Sequence, residues 1–253
     1  MSPLKGKRIV LTGGAGGIGS LVAKELRNAK SEVVIVDRTA PHGDEQFFLK
    51  GDLATLEGIA AVGEAVKRLV PDILINLAGA QYFGPFERQN AEHMQMTYMV
   101  NLIAPALLSQ AVLPSMRERG SGQIVNIGSV LGSINYPYFT TYSSAKAGLR
   151  GLSEALRREV SGSGICITYI APRAVKTGMN TAEVMRFAAL TKMHLDEPET
   201  VARRIVSAIR TRKKEVFFGF PERIFVSLNA LVPRFVDAAV TGEIRKARTL
   251  FTP

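Results

Sequence analysis

The sequence has only one cysteine, Cys166, among 253 residues. An internal disulfide is therefore impossible. The thiol sits in the apolar run ICITYIA, where a buried, unreactive group is expected. A reducing cytoplasm suits such a chain. No run of eighteen or more consecutive apolar residues occurs, so no membrane-spanning helix is expected. The start, MSPLKGKRIVLTGG, has no apolar core ahead of a small-residue cleavage site, which argues against a signal peptide. The three histidines, His42, His93 and His194, lack metal-ligand spacing, so no metal site is expected and all three read as surface or loop residues. Internal repeats, low-complexity segments and a domain linker are absent. Acidic charge is also in short supply. The net charge is +10, and residues 201–253 hold 11 Lys/Arg against 4 Asp/Glu, leaving 21 against 18 for the rest. That imbalance argues for a local basic face, not for nucleic-acid binding by the whole domain.

Apolar runs alternate with helix-period segments almost from the first residue. KRIVLT (7–12), EVVIVD (32–37), QFFLKGD (46–52), DILINLAG (72–79), QIVNIGS (123–129), GICITYIAP (164–172) and EVFFGF (215–220) read as strands. Residues 17–29, 54–68, 91–116 and 140–162 read as helices. A further helix runs to about Arg212, with Asp196 as N-cap and a proline in its first turn. Strands apolar on both faces and separated by helices imply a parallel sheet covered on both sides. The expected fold class is α/β, a doubly wound, seven-stranded parallel sheet. The length suits one such domain with a sizeable core.

The turn after the first strand is Thr12-Gly-Gly-Ala-Gly-Gly-Ile-Gly19. It leads straight into a helix, and a second strand ends in Asp37, the context that distinguishes a dinucleotide fingerprint from an ordinary glycine turn. Gly13 allows the tight turn. Gly17 and Gly19 let backbone approach a pyrophosphate and let helix pack on strand, while the helix N-terminus offers free N–H groups around Ile18. Asp37 can accept hydrogen bonds from a ribose diol and repel a 2′-phosphate, which favours NAD. Arg38 beside it could pair with that phosphate, so NADP stays open.

Tyr142 and Lys146 are four apart in a helical segment, hence on one face and one turn apart. A nearby ammonium lowers a phenol from its usual ~10 toward a range useful for proton transfer. Together with TGGAGGIG (12–19), Asp37, Asp52-Leu53, NLAG (76–79), Asn101, Ser129 and Pro172…Thr177, the YSSAK segment (142–146) resembles the short-chain dehydrogenase/reductase family over about residues 5–220. The resemblance implies a Rossmann-type domain over 1–220 and an enzyme moving a hydride between NAD, or NADP, and an alcohol or carbonyl. Tyr142 would be the general acid or base, Lys146 would lower its pKa and bind the nicotinamide ribose, and Ser129 would hold the substrate oxygen. Asn101 would hold a water in a proton relay to Lys146. Asp52 and Leu53 would frame the adenine, and Asn76, Ala78 and Gly79 would line the cofactor cleft, with Asn76 also tying neighbouring strands. Pro172, Val175 and Thr177 would border the nicotinamide. The family commonly forms dimers or tetramers through helices such as 91–116 and 140–162, so a homo-oligomer is expected.

Two departures stand out. Arg173 follows Pro172 where the family usually has glycine; pointing to solvent is its favoured reading, with reaching an acidic substrate group the other. Leu77 replaces a commoner asparagine. The run 178–195, rich in methionine and other apolar residues, suggests a greasy lid over an apolar substrate. Tyr136, Tyr138 and Phe139 could form a pocket wall or pack on the adjacent helix. The extension 221–253 carries Ile224, Phe225, Leu228, Leu231, Val232, Phe235, Val236 and Ala239 at helical spacing, broken by Pro233. Arg223, Arg234, Arg245, Lys246 and Arg248 sit among or after them. Packing on its own domain or a partner subunit is preferred, with peripheral membrane contact as the alternative. A non-catalytic nucleotide sensor, or a membrane-peripheral reductase of lipid-like substrates, are the competing functions.

Overall fold

Strand β1 (Arg8–Thr12) sends Ile9 and Leu11 to one face of the sheet and Val10 to the other, the period of two that a strand imposes. The computed structural model describes residues 3–41 and 47–251; His42 lies outside the described residues. β2 (Glu32–Asp37), β3 (Phe48–Lys50), β4 (Ile73–Asn76), β5 (Gly122–Ile127), β6 (Ile165–Ala171) and β7 (Glu215–Phe217) join β1 in one sheet, in the order β3-β2-β1-β4-β5-β6-β7. Every pairing is parallel. The fold is the expected doubly wound, seven-stranded Rossmann-like sheet.

Helices α1 (Gly17–Asn28) and α8 (Pro198–Arg210) cover the Ile9/Leu11 face through Val22, Leu26, Val201 and Ile205. Helices α2 (Leu56–Leu69), α4 (Ala104–Glu118) and α6 (Thr140–Glu159) cover the Val10 face through Val62, Leu108, Met116 and Leu156. Each such side chain contributes roughly 1.5–3 kcal/mol when fully buried. Burial on both faces is why the strands read as continuous apolar runs. The chain leaves β1 toward β2 and β3, then returns to β4 on the other side. That reversal opens a crevice at the carboxyl ends of β1 and β4.

The helix expected over 91–116 is divided. Asn90 caps α3 (Ala91–Tyr98) by accepting from the His93 amide at 2.7 Å. A π turn follows at Met99–Ile103, and then α4. Pro105 supplies the cause: it has no N–H for the Asn101 carbonyl, so the regular ladder cannot run through this point. The helical run Ala91–Glu118 is also long and apolar enough, by length and composition, to cross a membrane. Here Leu108, Val112 and Met116 are buried against the sheet.

Two local readings are corrected. Asp196 is not the cap of α8; Glu197 occupies that place without a side-chain bond, because the Asp196 carboxylate is taken by Arg173. Cys166 is partly exposed, its thiol 3.5 Å from the Arg212 carbonyl. Strand β7 pairs only with Tyr169–Ala171, which leaves the Cys166 end of β6 uncovered.

Beyond the sheet, α5 (Leu131–Ile134) precedes α6, α7 (Ala182–Thr191) follows β6, and α9 (Phe220–Leu231) and α10 (Pro233–Arg248) close the chain. Pro233 starts α10, where its missing N–H is harmless. Tyr136, Phe139, Val184, Phe187 and Ala247 form a separate buried cluster that ties α7 and α10 to the loop before α6.

Candidate active site

Six loops, those after β1 to β6, meet at the carboxyl ends of the strands. Together they line one cleft of about 1120 Å³. The loop after β1 supplies its floor. Gly13 has φ +72°, and a Cβ there would stand 2.7 Å from Ala78 Cα; a Cβ on Gly19 would stand 2.0 Å from the Gly13 carbonyl oxygen. Only glycine fits either place. Thr12 fastens this loop to the next, its hydroxyl accepting from the Leu77 and Ala78 amides at 3.1 and 3.2 Å. Helix α1 begins at Gly17 with no side-chain cap and no acid in its first turn. Its first N–H groups are therefore open to an anion, with the positive end of the helix dipole behind them.

At the end of β2 the Asp37 carboxylate accepts from the Ala15 amide at 3.0 Å and the Arg38 amide at 2.7 Å. Two backbone donors pin it at the edge of the cleft, with acceptor sites to spare. Arg38 and Asp52 also line the cleft, beside the buried Leu53. Asp52 accepts from the Ala54 amide at 2.9 Å. Ile18, Ala78, Gly79, Pro172, Val175 and Thr177 complete this half. A glycine floor that a Cβ would fill, free helix amides and a pinned carboxylate fit a dinucleotide.

Asn76 and Asn101 stand apart from the other expected residues, because neither lines the cleft. Asn76 is buried and donates to Asn126 at 2.8 Å, tying β4 to β5. Asn101, in the π turn, donates to the carbonyls of Ala80 at 2.6 Å and Thr97 at 2.8 Å. Its Oδ1 is buried with no partner among the described residues, beside Gly79. An unsatisfied acceptor at this depth is rare and marks a place for a water or another donor.

Helix α6 brings Tyr142 and Lys146 into the cleft together, and β5 brings Ser129. Lys146 Nζ donates to the Ile127 carbonyl at 2.8 Å and lies 5.8 Å from the Tyr142 ring centroid. Ser129 accepts from the Leu131 amide at 3.1 Å, which orients its hydroxyl toward Tyr142. The electrostatics differ from the sequence expectation. Burial pushes the Tyr142 hydroxyl above its ordinary value, and the Ser129 hydrogen bond only opposes it. Burial also lowers Lys146 to about 7. An ammonium whose own charge is destabilised by burial cannot be relied on to lower its neighbour's pKa.

This has a consequence for stability. Between pH 7 and the ordinary lysine value of 10.5, the unfolded chain binds a proton at Lys146 that the folded chain does not. Stability therefore rises with pH across that window. Above about 10 the raised Tyr142 works in the opposite sense. Lys146→Met is expected to flatten the rise, read as urea midpoints at pH 6.5 and 9.5. An unchanged slope would place the titration elsewhere.

Arg173 does not point to solvent. It donates from Nε and Nη2 to Asp196, both at 2.8 Å, and from Nη1 to Glu222 of α9 at 3.2 Å. Asp196 in turn pairs its backbone with Ala174 and Lys176. The residues beside Thr177 are thereby fastened to the segment just before α8 and to α9. Glu222 and Glu243 lie far from the motifs in sequence, and neither was expected at the site. Both line its far end, among Val184, Phe225, Val236 and Val240. Burial raises the Glu243 carboxyl. Tyr136 is also here, its hydroxyl buried with no partner among the described residues. α7, α9 and α10 close this end with mainly apolar side chains, and Thr191, Lys192 and His194 also line the cleft. His93 stands edge-on to Tyr82, and His194 is 3.4 Å from Asp196.

Comparison with known proteins agrees with this geometry. Residues 7–186 match the family model described as short chain dehydrogenase. The ketoacyl reductase HetN of Nostoc sp. is 32% identical over 230 residues, covering 85% of this chain and 79% of that protein. Among solved structures, a short-chain dehydrogenase from Streptomyces avermitilis superposes with a TM-score of 0.77 at 26% identity, covering 97% and 99% of the two chains. The bulky-bulky ketone specific alcohol dehydrogenase from Comamonas testosteroni superposes with a TM-score of 0.73 at 26% identity, covering 85% and 86%.

Proposed function

The chain belongs to the short-chain dehydrogenase family, an NAD(P)-dependent oxidoreductase of CH–OH/C=O chemistry, and from that premise we propose that it reduces a large apolar ketone with NADH. The observation that carries this reading is the continuity of the cleft. Tyr142, Lys146 and Ser129 stand between the dinucleotide half and an apolar far end of the same cavity. The relatives' names, a ketoacyl reductase and a bulky-ketone alcohol dehydrogenase, agree with a large carbonyl substrate.

A nicotinamide bound here supplies the hydride. The residues do the rest. Ser129 donates a hydrogen bond to the substrate oxygen and holds it beside Tyr142. Tyr142 passes its proton to that oxygen as the carbonyl becomes an alcohol. Its raised pKa keeps it protonated at neutral pH, which favours the reductive direction there; oxidation needs alkaline pH. Asn101 holds a water that returns a proton through Lys146. A wall of Val184, Phe225 and Val236 excludes bulk water. Dimers or tetramers through α4 and α6 belong to the same reading.

The test is nicotinamide absorbance during turnover of a chain-length series of ketones and alcohols. Turnover that rises with length supports an apolar substrate. A preference for short polar carbonyls overturns it. The same assay reads the cofactor choice. Asp37→Ser removes the charge that opposes a 2′-phosphate, leaving Arg38 to attract it. Two like charges near a protein surface repel by up to about 4 kcal/mol before screening. The ratio of kcat/KM for NADPH to that for NADH is therefore expected to rise about tenfold to a hundredfold. A wild-type preference for NADPH would mean that Arg38 dominates.

A further inference from the structure

Helix α9 buries Val226 but also turns an apolar stripe outward. At 100° per residue, Phe220, Ile224 and Leu231 fall within about 40° of one another on its circumference. That stripe faces outward, with Phe220 76% and Leu231 80% exposed. The opposite side of the helix carries its polar anchors. Glu222 accepts from Arg173, and Asn229 donates to the Ser133 carbonyl at 2.8 Å. Val232 and Phe235, at the corner with α10, extend the exposed apolar surface. Surface helices normally bury the apolar side and show the polar one, and a contiguous exposed apolar patch marks a docking surface.

We propose that the α9–α10 corner docks on an anionic lipid bilayer surface. Charge selects this occupant over a second copy of the chain. Arg223 and Arg234 flank the stripe, and neither forms an ion pair among the described residues. Asp237 is the acid at this corner, since Glu222 is consumed by Arg173. A self-paired face would bring Arg223 and Arg234 close to their own copies. An apolar stripe rimmed by free guanidinium groups instead suits acyl chains beneath anionic head groups. Position gives the docking a purpose. Phe225 of α9 and Val236 of α10 line the cleft, so the helices that meet the bilayer with one side wall the site with another. Docking there would set the end of the cleft that these helices wall close to a reservoir of apolar molecules.

The purpose rests on the apolar-substrate reading, but the docking does not, and its test involves no turnover. The full chain is sedimented with vesicles of phosphatidylcholine alone and with vesicles containing phosphatidylserine, at low and high salt. Binding is expected on the anionic vesicles and should weaken at high salt. Arg223→Glu with Arg234→Glu should lower the partition coefficient at least about tenfold, since each basic residue contributes roughly 1 kcal/mol at such a surface. Phe220→Ser with Leu231→Ser should do the same with the charges intact. Neither pair touches the cleft, and an unchanged thermal midpoint verifies folding. Absence of binding at low salt overturns the proposal. So does a dimer that the Phe220/Leu231 variant dissociates in sedimentation velocity, because the stripe is then covered by a second copy.

Discussion

Tyr142→Phe is expected to lower kcat by about 10²–10⁴-fold, the usual contribution of a positioned general acid, with cofactor binding retained. The ring stays and keeps its packing on α6; only the hydroxyl is lost. Ser129 could still polarise the carbonyl, so some activity should survive. The pH profile separates a chemical role from a structural one. In the wild type, oxidation should climb toward alkaline pH, because burial holds the Tyr142 hydroxyl above its ordinary value. In the variant that climb should vanish. A variant slowed in kcat yet keeping the alkaline limb would show that another group carries the proton.

Arg173→Ala is expected to have the largest effect on stability outside the aliphatic core. It leaves Asp196, 11% exposed, and Glu222, 24% exposed, without their shared cation. Breaking a largely buried pair from one side costs about 3 kcal/mol at the lower end of its range. At about 2–4 °C per kcal/mol, the thermal midpoint should fall by roughly 6–12 °C. Arg173→Lys should rescue only part, since an ammonium cannot hold both Asp196 oxygens as a guanidinium does. A second readout is the acid limb. Burial pushes the Asp196 carboxyl up, but the hydrogen bonds and charge of Arg173 outweigh it and hold it below 3.8. A depressed carboxyl stabilises the fold above its unfolded pKa, and that stabilisation is lost as pH falls through the folded value. The wild type should therefore lose stability below about pH 4 from this group, and Arg173→Ala should not. A full midpoint in the alanine variant would mean that α9 is held by Val226 and Asn229 alone. Because Arg173 also braces the segment carrying Thr177, the KM for the cofactor should rise more than kcat falls.

Most of the fold was legible because its signals are local. Two-sided apolar runs, helix-period segments and a glycine turn each report on neighbours within a few residues. Gly13 and Gly19 could be assigned from the motif alone, because a tight turn and a close approach leave no room for a Cβ. Tyr142 and Lys146 meet in the cleft because helical periodicity by itself puts residues four apart on one face. The π turn had a signal, Pro105, but a hydrophobic period cannot register a single missing N–H.

The rest was decided by contacts between distant segments. The partners of Arg173 lie 23 and 49 residues away, and no spacing rule links them. Asn76 ties β4 to β5 as expected, yet packing sets both it and Asn101 behind the cleft wall. Sequence proximity of a lysine and a tyrosine says nothing about how much water either keeps; burial alone takes Lys146 to about 7 and raises Tyr142. The outward stripe of α9 was visible as apolar spacing, but which side faced the domain was not. Spacing determines which residues share a face, whereas the direction of that face depends on the anchors that Arg173 and Ser133 offer to Glu222 and Asn229. Thus the sequence by itself determined the sheet, the phosphate loop and the tyrosine–lysine pair, all products of short-range backbone geometry. Tertiary structure alone decided charge pairing, desolvation and the orientation of the C-terminal helices, because these depend on which distant surfaces exclude water from one another.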